Sequence, residues 1–120
     1  MKSKYEKWTY EFMESWKRLD WKKTLTLLDE KSLYYENPID EPCKSFEEIT
    51  NLWNVVEENQ KDIEYKFEII SFDDNICIIN WQMTRFFIPT NTKQEIDGIF
   101  QISLNDNGLC TLFKQWRFTR

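Results

Sequence analysis

The sequence predicts a single α+β domain spanning residues 1–120. Three N-terminal helical segments are expected to pack on one face of a curved antiparallel sheet of four long strands and a short one. Two observations support this fold class. Apolar residues recur every three or four positions in the first half of the chain, and every second position after Gln60. With only two glycines and three prolines, the sequence gives no sign of a linker between domains.

Helical spacing covers three segments of the first half. Residues 3–19 carry apolar side chains three and four positions apart, which is typical of an amphipathic helix. Asp20 stands at the expected N-cap of a short second helix. Ser45 and Glu48 fit the capping-box pattern, which predicts a third helix that ends near Glu58.

Strand patterns fill the second half, after a brief β-prone run at residues 33–35. Residues 63–69 alternate between apolar and charged, which predicts one covered and one wet face. Residues 76–88 are almost continuously apolar, as in a central strand that is buried on both faces. Two further long strands are joined by a polar turn at residues 105–108. Gly98 lies inside the first of them and predicts a bulge or a sharp bend of the sheet.

The composition disfavours several classes of function. The net charge is −5 and the basic residues are scattered, so we expect neither nucleic acid nor a membrane surface as a partner. The chain contains no histidine, which removes the commonest general base and the commonest metal ligand. We therefore expect no metal and no other cofactor, and any chemistry would depend on carboxylates, Tyr, Lys, Arg or Cys.

The cysteines indicate a reducing compartment. Cys43, Cys77 and Cys110 form an odd set without the CxxC spacing of a metal or redox site. Residues 1–21 are charged throughout and lack the apolar segment of a signal peptide. The expectation is three free thiols in a cytoplasmic protein.

The order of these elements resembles the nuclear transport factor 2-like superfamily, and within it the small bacterial SnoaL-like proteins. The resemblance spans roughly residues 5 to 117 and is carried by the following residues and motifs: Trp16, Leu19-Asp20, Tyr34-Tyr35-Glu36-Asn37-Pro38, Pro42, Trp53, residues 62–70, Trp81, Asp97-Gly98-Ile99-Phe100, Gly108-Leu109-Cys110 and Gln115-Trp116. It implies a cone in which a strongly curved sheet wraps a helix and stays open at one end, often in a homodimer. It implies no single function, because this fold serves isomerases, cyclases, hydrolases and transport adaptors.

Both enzyme patterns within this superfamily lack their proton-transfer group here. Residues 35–42 resemble the corresponding stretch of ketosteroid isomerases, in which the residue directly before the first proline is the catalytic Asp. In this chain that position is Asn37. A carboxamide cannot accept a proton near neutral pH, so this mechanism lacks its base. The neighbouring Glu36 is expected to face the opposite side of the strand. SnoaL-type cyclases resemble the last strand, where an acid/base Asp follows the tryptophan; Arg117 follows Trp116 in this chain.

The resemblance and the strand periodicity together predict a ligand pocket. Gln115 and Arg117 share one face of the last strand, and the cyclase pattern implies that this face looks into the cone, where an Arg suits an anionic or carbonyl-bearing ligand. A surface position for Arg117 near the chain terminus is the alternative. The predicted pocket residues are Trp16, Tyr34, Asn37, Trp53, Trp81, Phe100, Gln115 and Arg117.

Glu95 and Asp97 are the remaining carboxylate candidates. They lie two apart on one strand and therefore share a face, which would allow acid/base chemistry. A solvated strand face is the commoner reason for such spacing. We predict no catalytic residue.

The function predicted from sequence is the binding of a small, partly apolar molecule in an aromatic-lined cavity. One alternative is an enzyme of the isomerase, cyclase or hydrolase type that uses Glu36, Asp97 or a tyrosine. Another is a protein-interaction module, and a homodimer through the open face of the sheet is expected in any case. Carboxylates remote from any cavity would exclude the enzyme, and a cavity filled by Trp16, Trp81 and Phe100 would exclude ligand binding.

Overall fold

The computed structural model describes residues 2–120 and confirms the predicted α+β class. In chain order the elements are α1 (Lys2–Lys17), α2 (Trp21–Thr26), β1 (Leu28–Tyr35), α3 (Phe46–Asn59), β2 (Gln60–Phe72), β3 (Cys77–Phe87), a single 3-10 turn (Ile88–Thr90), β4 (Thr92–Leu104) and β5 (Cys110–Thr119).

The five strands form one sheet in the order β1-β5-β4-β3-β2. Strands β2 to β5 are an antiparallel meander, as the alternating patterns and polar turns predict. Strand β1 differs from the prediction, because it pairs with β5 in parallel and makes the sheet mixed. The chain reaches β2 at the far edge through α3, and the meander returns until β5 lies beside β1. A short apolar run carries no information about which distant strand it will pair with, so the sequence could not show this direction.

An aromatic core fills the space between α1 and the concave face of the sheet. Phe12 on α1 lies at its centre, with ring centroids 5.0 Å from Phe113 and 5.5 Å from Phe100. Trp8 stacks on Phe12 from the preceding turn at 5.1 Å. Phe100 in turn stacks on Trp81 at 4.9 Å, and both of these side chains are fully buried. Rings of this size bury much apolar area, which stabilises the domain.

Gly98 makes room for a tryptophan rather than forming a bulge. Its pairing stays in register with Trp81 on one side and Arg117 on the other. A Cβ atom at this position would lie 2.6 Å from the Trp81 indole ring and 2.7 Å from the Trp116 carbonyl oxygen. The glycine is therefore required by the close approach of the indole to the strand.

Both predicted helix caps are present. The Asp20 side chain accepts a hydrogen bond from the Lys23 backbone N–H at 3.1 Å, and the Ser45 hydroxyl accepts one from the Glu48 N–H at 3.2 Å. Each bond satisfies a backbone donor that the first helical turn leaves free.

Across residues 2–120, the structure contains no helix that is both long enough and apolar enough to span a lipid bilayer.

Candidate functional site

A cavity of about 310 Å³ opens at one end of the sheet, between α3 and the ends of β1, β3 and β5. Its apolar wall is formed by Trp16, Leu52, Trp53, Val55, Val56 and Phe87. Its polar end is formed by Tyr34, Glu36, Gln60, Arg85, Gln115 and Arg117. An apolar wall with a few convergent polar groups is the usual make-up of a small-molecule site.

The apolar wall is held in place by the packing of two tryptophans. The indole rings of Trp16 and Trp53 meet edge to face with centroids 5.7 Å apart. Trp16 Nε1 also donates a hydrogen bond to Gln60 Oε1 at 2.9 Å, which ties α1 to the first residue of β2. Both indoles are almost completely buried, so the wall is preformed rather than assembled by a ligand.

Tyr34 joins the wall to the polar end of the cavity. Its side chain is 1% exposed, and its ring stacks on Phe113 with centroids 4.5 Å apart. Burial, followed by the negative charge of Glu36, raises the pKa of the Tyr34 hydroxyl well above its ordinary value. The phenol is therefore neutral at physiological pH and retains a proton to donate.

Glu36 and Arg117 form an ion pair at the mouth of the cavity. Glu36 Oε1 lies 3.1 Å from Arg117 Nη2, and each side chain is about one third exposed or less. Burial raises the pKa of the Glu36 carboxyl above its ordinary value, and this outweighs the opposing attraction of Arg117 and Arg85 and the hydrogen bonds from Gln115 and Arg117. A carboxyl group with such opposing influences is typical of functional sites.

Arg85 is the most unusual residue of the site because it is charged and only 8% exposed. Its Nε donates a hydrogen bond to Gln94 Oε1 at 3.0 Å, and its guanidinium carbon lies 4.9 Å from the centroid of the Phe87 ring. Within residues 2–120, no carboxylate oxygen lies within 4.0 Å of the Arg85 guanidinium, so Arg85 forms no ion pair there. Its two Nη atoms have no hydrogen-bond partner among these residues. Burial, followed by repulsion from Arg117, lowers the pKa of Arg85 to about 10, with Glu36 opposing the change.

Gln115 contributes an unused hydrogen-bond acceptor to the same end. The side chain is 3% exposed, and its Oε1 has no hydrogen-bond partner in the part of the chain that the structure describes. Buried polar atoms are rarely left unsatisfied in a stable fold. Since this oxygen is itself shielded from solvent, it is an unsatisfied acceptor in the wall of the cavity.

Strand alternation brings these polar groups together. On β3 the inward-facing series of Cys77, Ile79, Trp81 and Met83 continues to Arg85 at the end of the strand. Gln115 and Arg117 alternate in the same way near the end of β5, and Glu36 follows Tyr34 by two positions. Each strand thus places apolar side chains in the core and a polar one at the open end.

Five of the eight residues predicted as pocket residues line this cavity: Trp16, Tyr34, Trp53, Gln115 and Arg117. The other three lie elsewhere. Trp81 and Phe100 belong to the fully buried core. The Asn37 Oδ1 accepts hydrogen bonds from the backbone N–H groups of Ile39 at 3.0 Å and Asp40 at 2.9 Å, so Asn37 shapes the loop after β1.

Glu36 and Arg85 are the two charged residues that the sequence-based site left out. Glu36 was expected to face away from the cavity, yet it lies on the same side as Tyr34, because positions two apart share a face. For Arg85, the sequence signal is a charged residue at a position of β3 that otherwise carries inward-facing apolar side chains. In the structure both follow the phase of the alternation that the fully buried Tyr34 and Trp81 set.

Glu95 and Asp97 lie on the opposite, outer face of the sheet. The Asp97 carboxylate accepts hydrogen bonds from Asn80 Nδ2 at 2.7 Å and Gln82 Nε2 at 3.2 Å, and these bonds lower its pKa. Glu95 pairs with Arg120 at 2.9 Å on the exposed edge. Both carboxylates are therefore part of a solvated face and do not reach the cavity.

All three cysteines are free thiols, and two of them are buried away from the cavity. Burial raises the pKa of Cys77 to about 11 and that of Cys110 to about 12. Since the thiolate is the reactive form of cysteine, neither group is a nucleophile at neutral pH. Within residues 2–120 no cluster of three or more His, Cys, Asp or Glu side chains is arranged to hold a metal ion.

Comparison with known proteins gives matches in structure but not in sequence. No protein-family model matches the chain, and no curated protein matches it. The epoxide hydrolase/cyclase-like enzyme SalBIII of pyran ring formation in the polyether salinomycin superposes with a TM-score of 0.83 at 10% identity, covering 98% of this chain and 92% of that one.

Two further structures show the same likeness. A LEH-like epoxide hydrolase of M. tuberculosis gives a TM-score of 0.76 at 14% identity, covering 97% of this chain and 84% of that one. A nuclear transport factor 2-like protein of Burkholderia xenovorans gives a TM-score of 0.73 at 17% identity, covering 97% of this chain and 90% of that one. At these identities the likeness establishes the fold and leaves activity open. The chain has the nuclear transport factor 2-like fold.

Proposed function

We propose that the protein binds a small, partly apolar molecule in the cavity beneath α3. The observation that carries this proposal is the open volume of about 310 Å³ between a preformed aromatic wall and a cluster of buried polar groups. The core aromatics fill the rest of the domain, so this space is not a packing defect of an otherwise loose interior. Its volume lies at the lower end of the range for small-molecule sites.

The lining suggests how such a molecule would lie. Its apolar part would contact Trp16, Trp53 and Val56, and its polar part would reach Gln115 and the arginines.

Binding of a neutral dye tests this proposal directly. N-phenylnaphthylamine becomes fluorescent in apolar surroundings and requires no charged partner. We expect it to bind the native protein, and Val56→Phe, which fills the cavity from α3, to weaken binding about tenfold or more, equivalent to about 1.4 kcal/mol. Asn54→Phe is the matched control, because residue 54 is exposed on the same helix. Equal binding by both variants, or no binding by the native protein, would contradict the proposal.

An acid/base enzyme is the second candidate, and Glu36 favours it. The Glu36 carboxyl group lies in the cavity beside Tyr34, and its pKa is raised. Asp97, the other carboxylate that the sequence offered for catalysis, does not line this cavity. Two of the structural neighbours are described as epoxide hydrolase-like. Hydrolysis of styrene oxide to its diol is therefore a suitable assay. A general acid/base role predicts that Glu36→Gln lowers the rate by about a hundredfold or more. Absence of diol formation by the native protein would count against this candidate.

We also propose that a second copy of the chain covers the outer face of the sheet. Phe118 is 85% exposed there, beside a groove of about 660 Å³ that Gln82 and Asp97 also line. Ile99 and Trp116 form a cross-strand pair on the same face. Exposed apolar groups rimmed by polar ones are typical of self-association surfaces.

Light scattering during size exclusion tests the dimer. The native protein should have twice the mass of the chain at about 50 micromolar, a concentration that populates interfaces of micromolar affinity. Phe118→Asp should shift it to a monomer. Ile39→Asp replaces another exposed apolar residue, 91% exposed in the loop after β1, and should leave the mass unchanged. A native monomer would contradict the proposal.

A further inference from the structure

We propose that the molecule bound in this cavity is a small organic acid with an apolar body, and that Arg85 holds its negatively charged head group. This inference rests on the proposed small-molecule binding and adds the chemical class of the ligand. It is carried by a guanidinium group that is 8% exposed, lines the cavity and has no carboxylate partner within residues 2–120.

A buried, unpaired charge is costly, which makes Arg85 informative. Charged side chains are almost never fully buried unless a partner neutralises them. The surroundings of Arg85 add to the cost, because Arg117 of β5 faces it with the same charge. An isolated Arg at this position weakens the fold and is understandable as the receptor of an anion that arrives from outside.

The charges at the polar end sum to one excess positive charge. Arg85 and Arg117 contribute two positive charges, and Glu36, as the carboxylate partner of Arg117, contributes one negative charge. Among residues 2–120, Glu36 is within ion-pair distance of Arg117 only, at 3.1 Å. One anionic group beside Arg85 would therefore neutralise the site. A ligand with two or more charges would leave a net negative charge in a half-buried space.

The geometry of Arg85 suits a planar acidic group. The hydrogen bond from Nε to Gln94 at 3.0 Å and the contact with the Phe87 ring at 4.9 Å fix the plane of the guanidinium. Both Nη atoms remain available, and a carboxylate binds such a pair of nitrogens through two parallel hydrogen bonds. The apolar wall around Trp16 and Trp53 would then contact the body of the acid.

A pair of dyes that differ by one acidic group tests the proposal. Anilinonaphthalene sulfonate is the sulfonated counterpart of N-phenylnaphthylamine, and its charge does not titrate in the range of protein stability. We expect Arg85→Met to lower the affinity for the sulfonate dye by about tenfold or more, which is the effect of losing a charge-assisted hydrogen bond. The affinity for the neutral dye should change by less than about twofold. Arg120→Met is the matched control, because Arg120 is 87% exposed and pairs with Glu95 on the outer face.

Two further variants separate recognition from a merely structural role. Arg85→Lys retains the charge and should restore most of the affinity for the sulfonate. Glu36→Gln removes the negative charge that faces both arginines and should strengthen sulfonate binding, a change opposite in direction to damage of the site. Thermal unfolding of each variant establishes that it is folded. Phenylpropionate should displace the sulfonate at lower concentration than phenylpropanol, because the site favours an acidic head group over a neutral one.

The outcomes distinguish this inference from the function on which it rests. If neither dye binds the native protein, small-molecule binding and the inference both fail. If the neutral dye binds and Val56→Phe excludes it, while Arg85→Met leaves sulfonate affinity unchanged or weakens both dyes equally, binding stands and the acidic ligand is wrong. Equal displacement by phenylpropanol and phenylpropionate would also overturn the proposal of an acidic ligand.

Discussion

At the scale of single residues, the Glu36 carboxyl is governed by two opposing effects. Burial disfavours its charged form, whereas Arg117 at 3.1 Å favours it. Burial is the larger effect, since the pKa of Glu36 is raised. Ionised Glu36 is consequently less stable in the fold than in water, although it has a cationic partner. A residue that costs stability at neutral pH is understandable at a binding site and not in a structural core.

The raised pKa of Glu36 predicts a specific pH dependence of stability. The fold favours protonated Glu36, so its stabilising contribution is fully present below the ordinary pKa of 4.5 and is lost as pH rises through the folded value. The free energy of unfolding of Glu36→Gln, minus that of the native protein, should therefore increase from pH 4.5 upward and then level off. Urea unfolding at several pH values measures this difference. A constant difference would contradict the shift, and Glu41→Gln, at an exposed loop position, is the control.

Gly98 makes a second residue-scale prediction. An alanine there would place its Cβ 2.6 Å from the Trp81 indole and 2.7 Å from a backbone oxygen, and neither can move freely. We expect Gly98→Ala to lower the free energy of unfolding by about 1–3 kcal/mol, as overpacking does. Ser103→Ala on the outer face of the same strand should cost much less. Denaturant unfolding compares the two, and equal effects would show that the indole yields easily.

The same scale shows where prediction from sequence stops. The aromatic wall could be predicted, because Trp16 and Trp53 follow helical periodicity. Glu36 and Asn37 could not be told apart without knowing which side of β1 faces the core, and the buried Tyr34 settles this only in three dimensions. In the sequence, Arg85 only interrupts an otherwise apolar strand. Its meaning depends on the absence of a partner within residues 2–120, which is a property of the folded surroundings.

At the scale of elements, local signals were sufficient where local chemistry decides. Helix starts were correct at Asp20 and Ser45, because a side-chain cap acts within four residues. The meander was correct, since polar turns and a period of two determine antiparallel neighbours. The pairing of β1 with β5 joins segments about eighty positions apart, and it depends on how the whole sheet closes. Short-range patterns hold no information of that kind.

The Ser45 cap gives the element-scale prediction. Its hydroxyl accepts the hydrogen bond of the Glu48 N–H at 3.2 Å and thereby secures the first turn of α3, which carries one wall of the cavity. Ser45→Ala should lower the free energy of unfolding by about 1 kcal/mol. Hydrogen exchange should also become faster in the first turn of α3. Asn54→Ala, an exposed interior position of the same helix, is the control and should not destabilise the protein.

At the scale of the whole molecule, the tightly packed core and the proposed binding cavity lie at opposite ends. The helix α1 runs along the inside of the sheet from Tyr5, which is fully buried near the β2–β3 turn, to Trp16 in the cavity wall. These two residues are eleven positions apart, or about 16 Å along a helix. Rings fill the first end completely, while the second end remains hollow and polar. The domain can thus carry unfavourable charges at Arg85 because its packed end supplies the stability.

This separation predicts that removing a hydroxyl at the packed end changes stability and not binding. Tyr5 Oη donates a hydrogen bond to the Asp73 carbonyl oxygen at 2.7 Å and joins α1 to the β2–β3 turn. Tyr5→Phe should lower the free energy of unfolding by about 1 kcal/mol, the usual value of such a bond. The affinity of Tyr5→Phe for N-phenylnaphthylamine and for the sulfonated dye should equal that of the native protein. Val56→Phe, by contrast, should lower the affinity for N-phenylnaphthylamine. Parallel unfolding and dye titrations measure both quantities. A loss of affinity in Tyr5→Phe that follows its loss of stability would show that the two ends are coupled through α1, and the division of the molecule into a packed end and a binding end would then be wrong.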